Sequence, residues 1–473
     1  MEKIFRISDD TVLTDEKLLD YIHRNDMIVT QHYLPLWKAY NNKYKIFELP
    51  KKPRWKPDNR IAVNFAEYIV NTFEGFFMGT PVKIESSDEA VREYITANDD
   101  ANDADDINAE VSTICSIFGR GYRIAFVDED GEIGSAFLDP MESFAIYNES
   151  IKPKMRYFIR TYVDSNKMRR GSISDDTTVR YFHLQGGLQW DGEPILHGFG
   201  SVPAVEFVQN RARKGVFESV LPLIDSYNKA LSEKANDVDY FADAYLRVLG
   251  AKVDKETIRF MRENRTINIP GSKGENVVVD FLQKPSSDGT QENLLNRIER
   301  MIFTIAMVCN ISDENFATSS GIALKYKLEP MNNLASKKWR KFQTGLKEYY
   351  KLMCSNPVTP LKPDDWSKLK FSHTLNYPAN NLDEAQTAQT LQGIVSKKTQ
   401  LKTLSCVDNV YEEMEEIIRE QEAKDAYYTD YATNRVMNDE ESGSNTGTGI
   451  SGTAIDRADS PKAIEKSIRN RSR

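Results

Sequence analysis

The sequence predicts an α+β protein, and three observations predict it. Segments with helical apolar spacing occupy the chain up to Phe118. From Tyr122 short β-type runs follow one another, separated by Gly, Asn, Asp and Pro clusters, and after Gly215 two long helical segments return. Helices and strands grouped in this way, rather than alternating strictly, belong to the α+β class.

The first 60 residues form an N-terminal segment. A helix is predicted from Thr14 to Tyr40, apolar at Leu18, Tyr21, Ile22, Met27, Ile28, Leu34, Leu36 and Trp37 and interrupted at Pro35; the loop KKPRWKP ends regular structure. Lysines around Trp55 could stack on nucleic acid or simply form a solvated loop. Next, Asp58 or Asn59 is expected to cap a helix that buries Ile61, Phe65, Tyr68 or Ile69, Thr72 and Phe76 and stops at Gly79, Thr80 and Pro81. The acidic run Asn98 to Glu110 has no register that supplies calcium ligands at the required offsets. Asp103 to Asp106 are instead expected to cap a helix from Ile107 to Phe118.

Strands are predicted in YRIAFVD, SAFLD, SFAIY, MRYFIRTYV, TVRYFHL and AVEFV, as an antiparallel sheet region, placing an α+β domain at residues 61–210. A long helix follows within 211–250, its stripe at Val220, Ile224, Tyr227, Leu231, Val238, Phe241, Tyr245 and Val248, with Pro222 in its first turns. Asp225, Glu233, Asp237, Asp239 and Asp243 lie on its other side, either a solvated face or, if copies lined a channel, an acidic wall. Residues 251–285 form a compact insertion with a short helix (KETIRFMREN) and two strands (TINIP, NVVVDFL).

Gln291 to Met353 reads as helix, polar break, helix. The first helix, to about Asn310, carries Leu294, Ile298, Met301 or Ile302, Ile305 and Cys309 on one stripe. Phe303, Met307 and Val308 lie off it, so protein is expected to cover more than one side. After SDENFATSSG the second helix shows Leu324, Leu328, Met331, Ala335, Phe342, Leu346 and Met353 on one face. Lys325 and Lys327 stand at its start, where the helix dipole disfavours cations; they are solvated surface, or the break faces an external polyanion. A lone strand at residues 371–377 and helices within 381–430, capped at Asp383 and Asp408, precede a Gly/Ser/Thr-rich tail, 431–473, whose composition cannot bury enough apolar surface to order itself.

A net charge of −9 argues against a protein that coats nucleic acid, but is compatible with a surface that DNA passes without sticking. Four dispersed cysteines fit a reducing compartment, and the N-terminus MEKIFRISDD lacks the apolar core of a signal peptide. No transmembrane segment is predicted, and the expectation is a protein folded in a cytoplasm. The five histidines have no zinc spacing, GSKG lacks the phosphate-loop spacing, and no nucleophile elbow or dinucleotide fingerprint occurs. No cofactor and no catalytic or metal site is expected.

Three stretches, DNRIAVNFAEYIVNTFEGFFMGTPV, LIDSYNKALSEKANDVDYFADAYLRVLG and SSGIALKYKL, together resemble the portal proteins of tailed bacteriophages, of the siphophage type found in phages of Gram-positive hosts. The order of segments agrees from about Asn59 to Asp425. The resemblance implies a portal fold: an α/β wing (61–210 with the strand 371–377), two stem helices (211–250 and 286–311), a small α/β clip (251–285), a tunnel loop (312–328), a long helix after it (329–370), a helical crown (381–430) and a disordered tail. It also implies a homo-oligomeric ring, typically of twelve subunits, at one capsid vertex of the virion, assembled in the host cytoplasm. Double-stranded DNA would pass through its channel during packaging and ejection. The terminase large subunit would dock on the clip and supply the energy, followed by head-completion or adaptor proteins, with major capsid and scaffolding proteins as further partners and no membrane. On this resemblance Ser319, Ser320, Gly321, Lys325 and Lys327 face DNA, and Glu233, Asp237, Asp239 and Asp243 line the channel wall. Alternatives are a metal-dependent nuclease, needing carboxylates converged in one pocket, and another structural head-tail connector.

Overall fold

The structure is a computed structural model that describes residues 4–53, 56–242, 246–249, 255–256, 259, 278–281, 288–311, 321–377, 381–404, 406–407, 410–411 and 413–424. The chain divides into two compact units, residues 1–378 and 379–473.

The first unit begins with β1 (Phe5–Ile7) and α1 (Asp15–Ile28), capped by the Thr14 side chain with Asp15 and Glu16 in its first turn. The expected interruption at Pro35 takes the form of a π-helical turn, Val29–Tyr33, that passes into α2 (Leu34–Tyr40). Pro35 has no N–H to donate and its ring crowds the preceding turn. The wider winding accommodates it, with the Leu34 N–H reaching the Val29 carbonyl. Leu18, Ile22, Ile28, Tyr33 and Leu36 join the main core, so this N-terminal segment packs as part of the same body as the helices and strands that follow it.

Helix α3 (Phe65–Phe77) starts later than the sequence suggested. Asn64 caps it by accepting from the Glu67 N–H, whereas Asp58 receives Arg60 and the Lys52 N–H, and Ile61 lies outside the helix. Its buried Ile69, Val70, Phe73, Phe76 and Phe77 make it the central core helix. Each such phenyl ring contributes roughly 2–3 kcal/mol relative to exposure. After β2 (Lys83–Ser86) and α4 (Glu89–Ala101), α5 (Ala104–Phe118) begins before Ile107. Asp103 is left-handed and makes no side-chain cap; Asp105 and Asp106 supply the first-turn negative charge.

Strands β3 (Arg120–Val127), β4 (Ile133–Leu138), β5 (Ser143–Asn148), β6 (Met155–Val163), β8 (Thr178–Leu184) and β10 (Ala204–Val208) match the predicted runs. Strands β1, β7 (Arg169–Ser174) and β9 (Leu188–Leu196) were not foreseen, because RRGSIS and LQWDGEPIL lack a clean apolar alternation. One sheet runs β1-β5-β6-β7-β8-β9, antiparallel except for the parallel β1–β5 pair; a second runs β10-β3-β4. Glycines permit close approaches at two joints among others. Gly119, at φ +86°, turns α5 into β3 where a Cβ would meet the Arg213 backbone at 2.2 Å, and a Cβ at Gly345 would strike the Phe207 ring at 2.6 Å.

Helix α6 (Leu221–Ala242) carries Pro222 in its first turn as expected, yet it ends before Gly250. Leu246–Leu249 is a strand, β11, paired antiparallel with β12 (Val278–Phe281). The β-branched and leucine residues that read as a helical stripe at Val248 pair instead with the predicted VVVDF strand. Residues 255–256 and 259, within the predicted KETIRFMREN helix, are helical, and the rest of the insertion, including TINIP and GSKG, lies outside the described residues. Helix α7 (Asp288–Ala306) stops short of Asn310, where left-handed Met307 ends it. Helix α8 (Gly321–Ser355), about 50 Å long, runs through Pro330, and β13 (Leu369–Ser372) pairs with β2.

In the second unit, α9 (Asn381–Thr390) contains Asp383 rather than being capped by it, and Ser396 caps α10 (Lys397–Leu401). Residues 413–424 are helical. Asp408 and the tail lie outside the described residues.

Candidate functional site

The residues that sequence reasoning singled out fall around α6, α7 and the start of α8. Helix α7 buries the predicted stripe only in part: Ile302, the alternative to Met301, is fully buried, and Ile298 and Cys309 pack partly buried against the core. Leu295, Ile302 and Ala306 face the core, whereas Leu294, Met301 and Ile305 are 50%, 40% and 47% exposed. The inward face is rotated relative to the predicted one: Ile302 and Ala306 join the main core and Phe303 meets Phe65 and Tyr68 of α3 edge-on, while the neighbouring stripe of Leu294, Met301 and Ile305 stays about half exposed.

Between the helices, Ile311 donates its N–H to the Tyr68 hydroxyl at 2.9 Å, and Cys309 Sγ donates to the Lys327 carbonyl at 3.0 Å. These contacts fasten the end of the α7 segment to α3 and to the first turns of α8. Ser319 and Ser320 lie outside the described residues. Gly321 opens α8, so Lys325 and Lys327 stand on a helix rather than in a loop as the range 312–328 implied. Both are exposed, and Tyr326 between them is 78% exposed. Positions two apart on a helix point to different sides, so the two ammonium groups serve two directions from one helix start.

The acidic residues assigned to a channel wall are engaged within the chain. Both Glu233 oxygens accept from Lys52 Nζ at 2.9 Å, which is the main reason its carboxyl is held below the usual range. Asp237 accepts from Gln291 at 3.1 Å, Asp239 from the Asn59 amide at 2.5 Å, and Asp225 pairs with Lys45 at 3.0 Å. Asp243 lies outside the described residues. The cause is a polar stripe that the sequence reading passed over: Asn228, Ser232 and Asn236, four apart on α6. Asn236 Oδ1 accepts from the Asn59 N–H, Ser232 Oγ both accepts from the Ile61 N–H and donates to the Ile61 carbonyl, and Asn228 Oδ1 accepts from the Val63 N–H. A two-residue step in an extended chain is nearly the length of a four-residue helical step. Alternate residues 59, 61 and 63 therefore find successive rungs. This spacing was legible in the sequence as small polar residues at i, i+4 and i+8.

A second unforeseen centre lies in the core. Lys338 falls on the apolar face of α8, fully buried, with Nζ donating to Glu74 Oε1 at 2.5 Å, the Ser112 carbonyl at 3.0 Å and Ser116 Oγ at 3.0 Å. Ser112 and Ser116 also donate to Glu74, and Lys338 sits over the Phe73 and Phe77 rings. Burial pulls the Lys338 pKa down and Glu74 offsets it; burial also pushes the neighbouring Cys115 thiol up to about 12. The signal was a lysine in phase with Met331, Ala335 and Phe342.

Helices α6 and α7 and the strap at residues 59–61 enclose an open groove of about 460 Å³, lined by Ile61, Tyr227, Leu231, Val238 and Leu295 with Lys234, Asp239 and Glu292 at its rim. Lys234 and Glu292 pair across it. Among the described residues no three His, Cys, Asp or Glu side chains converge as a metal site, and no described helix is long and apolar enough to cross a membrane.

The family model described as "Phage portal protein, SPP1 Gp6-like" matches residues 20–427. A protein named "Portal protein" from Clostridium phage phiCD119 is 24% identical over 403 residues, covering 78% of this chain and 86% of its own. Another of that name from Bacillus phage SPP1 is 23% identical over 390 residues, covering 77% of this chain and 76% of its own.

Proposed function

The chain belongs to the phage portal protein family, SPP1 Gp6-like, and we propose that it forms a closed ring at one vertex of a phage capsid, the channel through which double-stranded DNA is packaged and ejected. The family is structural rather than enzymatic, and phage portal proteins are capsid-associated oligomers of the virion. The observation that carries this reading is the match across residues 20–427, which takes in part of α1 and every later element of the first unit.

In this reading α6 and α7 form the stem, the β11–β12 ladder stands at the root of the clip that receives the terminase large subunit and later the head-completion or adaptor proteins, and the break before α8 reaches the channel. Capsid and scaffolding proteins meet the outside of the ring, and residues 381–430 form its crown. DNA meets the positively charged start of α8. The exposure of Lys325 and Lys327 supports them as phosphate contacts, one from each side of the helix. At about 0.1 M salt the Debye length is about 10 Å, so only groups near the duplex act on it, and a few exchanging lysine contacts per subunit leave DNA able to slide. The acidic side chains of α6 contribute less to the channel than their sequence suggested, because Glu233 and Asp239 already serve the strap at residues 52–63.

Negative-stain electron microscopy of the purified protein tests the reading directly. A ring with an axial hole of duplex width is expected; a compact monomer at all concentrations overturns it. In rings of a Lys325→Ala/Lys327→Ala variant, the dependence of DNA binding on salt is expected to flatten by about one unit of log–log slope for each lysine–phosphate pairing removed. An unchanged slope removes the lysines from the channel while leaving the ring in place.

A further inference from the structure

Helix α7 carries two different surfaces on opposite flanks. One is the exposed apolar stripe Leu294, Met301 and Ile305, with exposed Arg297 between Leu294 and Met301, three and four residues away on the same side. The other is the groove shared with α6, where Val238 is 58% exposed above Leu231 and Leu295. At about 100° per residue, the stripe and the α7 side of the groove, Glu292 and Asn296, are well over a quarter turn apart on either side of the buried Leu295–Ile302 line. One helix therefore presents a row of protruding apolar side chains on one flank and an open apolar hollow on the other.

We propose that the stripe of one copy of this chain seats in the α6–α7 groove of the next. This rests on the ring reading above and goes further by assigning the contact. Three observations select a second copy as the occupant. The two surfaces are chemically matched, apolar against apolar. They lie on opposite flanks of one helix, so each copy offers both halves of a head-to-tail contact, the kind that closes a ring rather than a two-fold dimer. Their charges are also complementary: the stripe brings the Arg297 guanidinium, and the groove rim, where Glu292 is already paired with Lys234, holds Asp239, whose carboxylate is met by the neutral Asn59 amide. Met301 and Ile305 fill the hollow beside Val238 and Leu231, and Arg297 reaches Asp239.

The experiment uses the full chain in a Cys309→Ser/Cys406→Ser background. Val238→Cys and Met301→Cys variants are prepared singly and co-expressed, then oxidised and run on a non-reducing denaturing gel, with ring formation followed in parallel by electron microscopy. Co-assembled rings are expected to give a strong mixed dimer, and each variant alone little or none. As a second reading, Arg297→Glu is expected to weaken assembly at least tenfold in the concentration needed for rings, and Arg297→Lys to restore much of it. Rings that form with no mixed dimer, and with assembly indifferent to Arg297→Glu, overturn the stripe-in-groove contact and leave the ring standing. Absence of rings in the unmutated protein overturns both.

Discussion

The body around α3 and the helix pair α6–α7 treat similar side chains in opposite ways. In the body every phenylalanine, isoleucine and valine of α3 is covered, and even charges are enclosed with partners: Lys338 with Glu74, and Glu206 with Arg213 at 2.7 Å and with the Tyr147 hydroxyl at 2.6 Å. In the helix pair, Val238, Leu294, Met301 and Ile305 remain half exposed, and the polar effort goes into binding an extended strap. The body is closed by its own chain, whereas the pair leaves a surface of the kind another molecule completes. Stability and assembly should therefore be separable by mutation, and single substitutions in either region can break that division.

The largest effect is expected at Lys338. Replacing it with Met strands the Glu74 carboxylate in the core and should cost about 3–5 kcal/mol in chemical denaturation. The double change Glu74→Leu/Lys338→Met should recover most of that, since two buried charges exchanged for apolar groups of similar volume are close to neutral. A double variant as unstable as the single one would show that the pair does more than satisfy its own burial.

Asp99 is next, and its effect depends on pH. It accepts from the Tyr350 hydroxyl at 2.7 Å, its other oxygen is buried with no hydrogen-bond partner among the described residues, and burial pushes its carboxyl up to about 6 from 3.8. Between those values the folded protein holds a proton that the unfolded chain has released. Stability from this group therefore falls as pH rises from about 4 to 6 and stays lowest above 6. Asp99→Asn removes that dependence, and its advantage over the parent protein should grow by up to about 3 kcal/mol between pH 4 and pH 7.5, at about 1.4 kcal/mol per unit. Melting temperatures across that range check the sign; an advantage that shrinks with pH contradicts it.

A smaller loss, about 1 kcal/mol, is expected for Asn64→Ala, which removes the cap of α3 and also the Tyr44 hydroxyl's acceptor at 2.8 Å. The smallest change in stability belongs to the helix pair. Met301→Asp, at a site 40% exposed, should leave the denaturation midpoint within about 0.5 kcal/mol while abolishing rings in electron micrographs. If it unfolds the chain instead, the division between body and helix pair fails.

Local patterns made much of this legible. Six strands, the α8 face from Leu328 to Met353 and the π turn's cause at Pro35 follow from spacing and from proline's missing donor. Element ends were read less well, at Asn64, Ala242 and Ala306, because each is decided by a partner distant in sequence or by one left-handed residue. The candidate site shows the same limit. The lysines' place near the start of α8 was readable, but the engagement of Glu233 and Asp239 was not, since Lys52 and Asn59 lie about 180 residues away.

The sequence by itself determined which residues are apolar, with what period, and hence the α+β class and the order of the elements. Only the tertiary structure decided which of two equally apolar stripes on α7 turns inward, because periodicity fixes a face of a helix but not its neighbours. It alone also decided that Lys338, a cation in phase with a core stripe, is buried against Glu74 rather than solvated. A charge can enter the core only where the fold supplies partners for it, and here those partners, Glu74 among them, come from helices distant in sequence.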